Sequence, residues 1–370
     1  MIKRITSYAR KDGILTLSFL LAIGTMFLIP PSLNYLSYID FHTLILLFCL
    51  MLIVEGIRQQ QFFDFLGNYL IKKTKTTRDI LLILVFLPFI SSMLITNDVA
   101  LIIFVPFGLL IAEMVGLVAM LPVIVTLMTI AGNLGSMFTP IGNPQNLYLF
   151  AQSHLQLVGF LQLMLPYTLA AAFLLVVSIL VRVKKRTIDL ADTEEIIVKR
   201  SQLIFYFALF FTCLLAVSGV IPHYVVLLLV SACVLVNDRR LFKQIDYSLL
   251  FTFIFFFIFI GNIKQVDMIQ ALFEKSIAHH EVSASIFASQ LISNVPAAIL
   301  LSSYTENIKA LIIGTNLGGL GTLIASMASL ISYKIIIKQY PQWRSKYLLI
   351  FTFYNSIFLI FLWLIFTVYQ

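Results

Sequence analysis

Polar residues that could bind an ion interrupt the apolar sequence at four places. The triplets Thr-Asn-Asp at 96–98 and Ser-Asn-Val at 293–295 each break a long apolar run, and Gly- and Asn-rich stretches break two others at 132–144 and 314–322. Backbone that leaves a helix offers carbonyl oxygens to a hard cation such as sodium, while the N-terminus of a half-helix attracts an anion. These four interruptions therefore form a candidate ion-binding set.

Asp98 is the most informative single residue of this set. A carboxylate within the apolar stretch ITNDVALIIFVP is costly in a membrane and indicates a function by default. It could bind a cation or carry a coupling proton. The alternative is structural, with Asp98 as the N-cap of a half-helix over 99–113. The Asn, Ser and Gly residues around it have a similar alternative, as helix caps and packing positions.

The composition requires these positions to lie in a membrane protein. Of the 370 residues, 60% are hydrophobic and only 11% are charged, which excludes an ordinary soluble domain. The net charge of +8 is spread over short basic clusters between apolar blocks, a pattern typical of membrane orientation rather than of nucleic-acid binding. We therefore predict an all-α, multi-pass protein of the inner or plasma membrane, with the lipid bilayer as its surroundings.

The hydropathy pattern predicts about nine spanning helices. They cover 14–29, 41–57, 119–150, 159–182, 202–220, 222–236, 247–261, 307–333 and 347–369. Two of them, 119–150 and 307–333, contain the Gly-rich interruptions and are predicted to be broken. The stretches 79–113 and 283–306 are split by the polar triplets into halves too short to cross, which favours two re-entrant hairpins.

Charge distribution predicts the orientation. With the hairpins returning to their own side, all of the 25 Lys and Arg residues except Lys264, Lys275 and Lys309 fall on one face. The positive-inside rule then places the N-terminus in the cytoplasm and the C-terminus outside.

The order of elements predicts an inverted repeat. Residues 1–186 form the first repeat, 187–221 a cytoplasmic linker with a connecting helix, and 222–370 the second repeat. The sequence Asn-Leu-Gly, followed by Thr and Ile at the same spacings, begins at both Asn133 and Asn316. Inverted repeats with broken helices are the usual construction of secondary transporters.

Nothing in the sequence indicates an enzyme. The motifs HExxH, GxSxG and GxxxxGK[ST] are absent from the sequence, and Asp98 has no partner aspartate in a second predicted span, as an aspartyl intramembrane protease would require. No cofactor is expected apart from a sodium ion or a proton as the coupling ion.

The polar interruptions resemble those of the ion transporter superfamily, which includes citrate transporters, divalent anion/sodium symporters, arsenite pumps and sodium/proton antiporters. Its paired hairpin motifs are similar to 96–98 and 293–295, and its Gly-rich signature is similar to TPIGNPQN at 139–146. The Thr-Asn-Asp form of the first motif is closer to the arsenite-pump and antiporter branch than to the dicarboxylate branch.

This resemblance implies how the site is arranged. It implies a mobile transport domain, a scaffold that forms a homodimer, and two sodium sites, which we assign to Thr96, Asn97 and Gly142 and to Ser293, Asn294 and Gly321. Substrate would lie between the hairpin tips. The candidate substrate residues are Thr96, Asn97, Asp98, Asn143, Ser293, Asn294 and Thr322, with Asp98 also as the candidate coupling residue.

Two functional hypotheses follow. The first is cation/proton antiport or efflux of a small inorganic anion, by alternating access and coupled to sodium or protons. The second is sodium-coupled uptake of an organic anion such as a di- or tricarboxylate.

Overall fold

The chain is helical throughout the parts that its computed structural model describes, which are residues 13–187, 198–266 and 277–369. Residues 188–197, which belong to the predicted linker, and residues 267–276, which follow the predicted span 247–261, lie outside the described residues. The helices are α1 Gly13–Met26, α2 Tyr35–Tyr38, α3 Phe41–Gln59, α4 Phe62–Ile71, α5 Thr77–Ser91, α6 Asn97–Met114, α7 Leu121–Ser136, α8 Pro144–Gln152, α9 Leu157–Arg182, α10 Arg200–Val217, α11 His223–Asp238, α12 Tyr247–Ile263, α13 Glu281–Ile292, α14 Asn294–Leu301, α15 Ile308–Gly318, α16 Met327–Gln339 and α17 Arg344–Tyr369.

Six segments of the described chain are long and apolar enough to cross a membrane. They are Phe41–Gln59, Asn97–Met114, Val118–Ser136, Leu157–Arg182, Arg200–Val217 and Pro341–Tyr369. A seventh candidate would combine His223–Lys243 with Tyr247–Ile263, which meet at a bend of 86°. The architecture is that of a polytopic membrane protein; nine spans and their orientation stay a prediction.

Both stretches predicted as hairpins consist of two helices joined by a short break. In the first hairpin (77–114) α5 and α6 pack together, and in the second (281–301) α13 and α14 do so. The prediction that each half of a hairpin is too short to cross the membrane is wrong for α6, which has 18 residues and is long enough to cross. The reason is that α6 begins at Asn97, inside the polar triplet, so that Asn97 and Asp98 add to the helix instead of to the break.

Both spans predicted to be broken are broken. The first broken helix (121–152) consists of α7 and α8, and the second (308–339) of α15 and α16. Pro144 occupies the first turn of α8, where its missing N–H leaves no helical hydrogen bond unmade.

Helix contacts follow the same scheme in both halves. Helix α5 packs on α7 as α13 packs on α15, and α8 packs on α15 as α16 packs on α7. Outside this central group, α1 packs on α12 and α3 on α11. The two hairpins and the two broken helices thus pack together as one central group, and the remaining helices pack around this group.

Glycines bring each hairpin against its broken helix. A Cβ atom on Gly135 of α7 would overlap the carbonyl oxygen of Phe89 in α5. A Cβ atom on Gly318, in the same place of the second half, would lie 2.8 Å from Cβ of Ser289 in α13. Any side chain at these two positions would push the hairpin away.

The second arms of the two hairpins differ in length. Helix α6 has 18 residues and α14 has eight, which at 1.5 Å per residue gives about 27 and 12 Å. Beyond the end of α14, on the face predicted to lie outside, a cavity of about 630 Å³ is lined by residues that include Gln152, His154, Glu306 and Lys309.

We expect Gly135→Ala to lower the free energy of unfolding by about 1–3 kcal/mol, because the added methyl group overfills a tight helix contact. Gly24→Ala is the control, since a Cβ atom there has no other atom within 4 Å. Thermal unfolding of the purified protein measures both. Equal melting temperatures for the two variants would contradict the close approach of α5 and α7.

Candidate functional site

The first break is closed by an asparagine from its own helix. Asn143 caps α8 by accepting a hydrogen bond from the backbone N–H of Asn146 at 3.0 Å. The Nδ2 of Asn146 then donates to the carbonyl oxygens of Ser136, Met137 and Thr139 at 3.4, 3.3 and 3.2 Å. The carbonyl groups freed where α7 ends are therefore satisfied inside the protein.

Asn316 of the second broken helix binds this first break. Its Nδ2 donates to Oδ1 of Asn146 at 2.6 Å, and its Oδ1 accepts from Nδ2 of Asn143 at 3.1 Å. All three side chains are buried. The break of the first half is thus held from the second half.

Asn133 of the first broken helix makes the reciprocal contacts. Its Oδ1 accepts from the hydroxyl of Ser326 at 3.0 Å, and its Nδ2 donates to Oγ of Ser329 at 3.2 Å, both at the start of α16. Ser326 and Ser329 follow Asn316 at the same spacings as Asn143 and Asn146 follow Asn133. Each half therefore places one asparagine on the break of the other half.

The tip of the first hairpin joins this network through Asn97. Its backbone N–H donates to the carbonyl oxygen of Gly142 at 3.0 Å, and its Nδ2 donates to Oδ1 of Asn133 at 3.0 Å. Its own Oδ1 accepts from the backbone N–H of Asp98 at 2.9 Å. The structure thereby brings together three of the predicted site residues, Asn97, Asp98 and Gly142.

Asp98 lies in the first turn of α6, where the helix dipole favours a negative charge. Thr96, not Asp98, occupies the N-cap position, so the alternative of Asp98 as the cap is wrong. The Asp98 side chain is partly exposed. Asp246, just before α12, is near enough for the two negative charges to interact. The sequence pattern does not mark Asp246 as this neighbour, because Asp246 precedes its helix instead of interrupting it.

The tip of the second hairpin is a single strained residue. Ser293 joins α13 to α14 with φ 74° and ψ 154°, a conformation that favours glycine, and it is fully buried. Asn294 is buried beside it, with Nδ2 only 3.0 Å from where a Cβ atom on Gly319 would lie. A glycine would relieve this strain, but it would lack the hydroxyl group of Ser293.

Two predicted residues of the second half lie apart from the asparagine network. Thr322 is exposed, and its backbone N–H donates to Oε1 of Gln290 at 2.9 Å. Gly321 has φ +103°, and a Cβ atom there would overlap the Gln290 side chain. Gln290 of α13 is therefore hydrogen-bonded to this break. No motif in the sequence marks this glutamine as part of the site.

The described parts of the chain bring no three His, Cys, Asp or Glu side chains together as a metal site. The polar groups that converge are instead carboxamides, hydroxyls and backbone carbonyls around one partly exposed carboxylate. Such groups suit a hard monovalent cation or a proton better than a transition metal.

The sequence is similar to membrane transporters over most of its length. A sequence model described as citrate transporter matches residues 10–310. An uncharacterized transporter of Methanocaldococcus jannaschii is 34% identical over 331 residues, which cover 88% of this chain and 90% of that protein. An inner membrane protein of Escherichia coli is 29% identical over 343 residues, 90% of each chain. A silicon efflux transporter of rice is 35% identical over 132 residues, 36% of this chain and 27% of that protein.

We expect Asn133→Ala to destabilise the protein by about 2–4 kcal/mol, because it removes three hydrogen bonds and leaves their buried partners unpaired. Asn355→Leu is the matched control. Asn355 is equally buried but donates only within its own helix, to the carbonyl oxygen of Phe351. Thermal unfolding of both variants decides the point, and equal melting temperatures would contradict a stabilising role of the network.

Proposed function

The chain belongs to the citrate transporter family, and from this premise we propose that it is a secondary active transporter that moves a small ion by alternating access. Members of this family are transporters and not enzymes, and the chain is a multi-pass membrane protein. We propose sodium or proton coupling, with cation/proton antiport or efflux of a small inorganic ion as the reaction.

One observation carries this proposal: Asp98 directly follows Asn97, which lies at a junction that ties both halves together. Asn97 links the first hairpin to Gly142 and Asn133, and Asn133 links it to the second broken helix. Gain or loss of a cation or proton at Asp98 would change the charge at this junction. Because the junction spans both halves, such a change would affect hydrogen bonds in both of them.

The coupling ion is proposed to bind in the first half. Thr96, Asn97 and Gly142 would supply oxygen atoms and Asp98 the negative charge. The carbonyl of Gly142 accepts one hydrogen bond, from the Asn97 N–H, and retains a second lone pair for a cation. A proton on Asp98 would need none of these additional ligands.

The substrate is proposed to bind between the hairpin tips. Thr96, Asn97 and Asn143 would contact it from the first half, and Ser293 and Asn294 from the second. Thr322, which is exposed at the edge of the second break, would contact it only from that side. The backbone N–H groups at the start of α14 suit a group rich in oxygen atoms.

The similarity of the two halves supports our proposal of alternating access. The helix contacts of α5–α8 have counterparts in those of α13–α16, and the asparagines are exchanged in both directions. An inverted repeat of 1–186 and 222–370 accounts for both features, and exchange between two related arrangements would open the site to either side. A homodimer held by the outer helices is part of the same proposal.

Two comparisons favour different substrates. The rice relative is named a silicon efflux transporter, which favours export of a small inorganic oxyacid. The family description names citrate, which favours sodium-coupled uptake of an organic anion as the second candidate. Asp98 favours the first, because its charge would repel a di- or tricarboxylate unless a cation neutralised it.

Proteoliposomes separate the two candidates. Transport of arsenite, silicic acid, citrate and succinate is measured with sodium or choline, each with and without a pH gradient. Export that requires a pH gradient supports the first candidate. Uptake of citrate or succinate that requires sodium and no pH gradient would replace it by the second.

We expect Asp98→Asn to lower the transport rate at least tenfold and to abolish its dependence on the coupling ion. Asp79→Asn is the control: Asp79 lies in the same hairpin but at its far end, where it accepts a hydrogen bond from Thr76 at 2.7 Å. Unchanged rate and ion dependence in Asp98→Asn, at equal expression, would contradict the proposal.

We expect Ser293→Gly to raise the melting temperature while lowering transport. Glycine relieves a backbone strain of about 1–3 kcal/mol, but the hydroxyl group at the tip is lost. Thr96→Gly is the matched control, because Thr96 has an ordinary φ of −65° and the change should lower stability. Full transport by Ser293→Gly would show that the hydroxyl group of Ser293 is not part of the substrate site.

A further inference from the structure

The side chain of Gln290 enters the second break and holds it together. Its Nε2 donates to the carbonyl oxygens of Gly318 at 3.0 Å and Leu320 at 2.9 Å, and its Oε1 accepts from the backbone N–H of Thr322 at 2.9 Å. The orientation of this carboxamide is fixed by its partners, since carbonyls only accept and a backbone N–H only donates.

This arrangement places positive charge density where a cation would lie. Two carbonyl oxygens of an unwound segment converge on one NH₂ group, as they would converge on a hard cation. The chain is wrapped closely around the amide, because Gly321 has φ +103° and a Cβ atom there would overlap Oε1 of Gln290. The amide therefore fills the space between these carbonyls.

The first hairpin has no such amide. Gln290 stands four residues before Asn294, and Met93 stands four residues before Asn97. The backbone carbonyls of the two residues accept from equivalent hydroxyls, Thr139 to Met93 at 2.5 Å and Thr322 to Gln290 at 3.5 Å. The thioether of Met93, however, offers no donor. The first hairpin thus reaches its break without a positive group.

The two hairpin tips also differ in charge, because only the first has an acidic residue. Asp98 follows Asn97 in the first half, and Val295 follows Asn294 in the second. The half that has the acid lacks the amide on its hairpin, and the half that has the amide lacks the acid. Asp98 would attract a cation to the first half, where the carbonyl of Gly142 keeps a second lone pair. The other carbonyls of the first break already have a donor, Asn146 of their own broken helix. In the second half no acid is adjacent, and the hairpin itself supplies the amide that occupies the carbonyls.

We propose that Gln290 takes the place of a cation in the second half, so that this half binds none and each transport cycle is coupled to one ion, beside Asp98. This inference rests on the proposed function, which places the coupling ion there. It replaces the sequence-based assignment of a second sodium site to Ser293, Asn294 and Gly321. Gln290 is a positioning residue for the second break and sets the coupling stoichiometry by excluding an ion.

The test compares sodium-dependent stability in three forms of the full-length protein: wild type, Gln290→Met and Gln290→Glu. Gln290→Met reproduces the first half, and Gln290→Glu puts a carboxylate beside the two carbonyls. Melting temperatures are measured in sodium chloride and in choline chloride at equal ionic strength. Gln202→Glu, near the surface, controls for an added charge.

Both Gln290 variants should melt lower than wild type in choline and gain more from sodium. A newly created site occupied at 100 mM sodium should add roughly 2–4 °C to the sodium-induced shift. The wild-type shift should follow a single-site titration, or be absent if the coupling ion is a proton. Two variants are used so that poor folding of one leaves the other measurable.

Two results would overturn the inference. Equal sodium-induced shifts in wild type and both variants would mean that the position is not suited to a cation. Smaller shifts in the variants would mean that Gln290 supports an existing sodium site. Either result leaves the proposed function standing, because that is tested separately by transport through Asp98→Asn.

Discussion

A backbone that leaves the helix within a bilayer must find its hydrogen-bond partners inside the protein, because lipid provides none. In this chain the carboxamides of asparagine and glutamine meet that requirement. Asn146 satisfies the carbonyls of the first break and Gln290 those of the second. A carboxamide suits this role because it donates and accepts at once and carries no net charge. The non-helical segments can therefore remain buried within the protein.

The reciprocal contacts make the two halves depend on each other. Asn316 is needed to hold the first break and Asn133 the second. Asn133 and Asn316 are buried, and each has hydrogen-bond partners in the other half, so each break is stabilised by the half to which it does not belong. An ion bound at one hairpin tip would therefore act on a network shared by both halves, without a separate pathway between them.

Much of this could be predicted from the sequence, and the remainder has physical reasons. Composition indicated the membrane class, and glycine marked both broken helices, with Pro144 also in the first, because these residues act locally. The start of α6 at Asn97 was missed, since a polar triplet in an apolar run looks like a break even where its residues are helical. The contacts of Asn146 with Asn316 and of Ser329 with Asn133 were missed because they join the two halves, although the equal spacing of Asn146 from Asn133 and of Ser329 from Asn316 was a signal. Gln290 was missed because a single glutamine has no pattern.

The unequal hairpin arms give the membrane protein two different faces. At the face reached by α6, the arm continues for 18 residues and its last turn is bonded through Glu113 to Gln339 and Tyr340. At the opposite face α14 stops after eight residues, and the cavity lined by His154, Glu306 and Lys309 occupies the space beyond it. The two faces therefore present different surfaces to an approaching solute, an open polar cavity on one and a helix end bonded to its neighbours on the other.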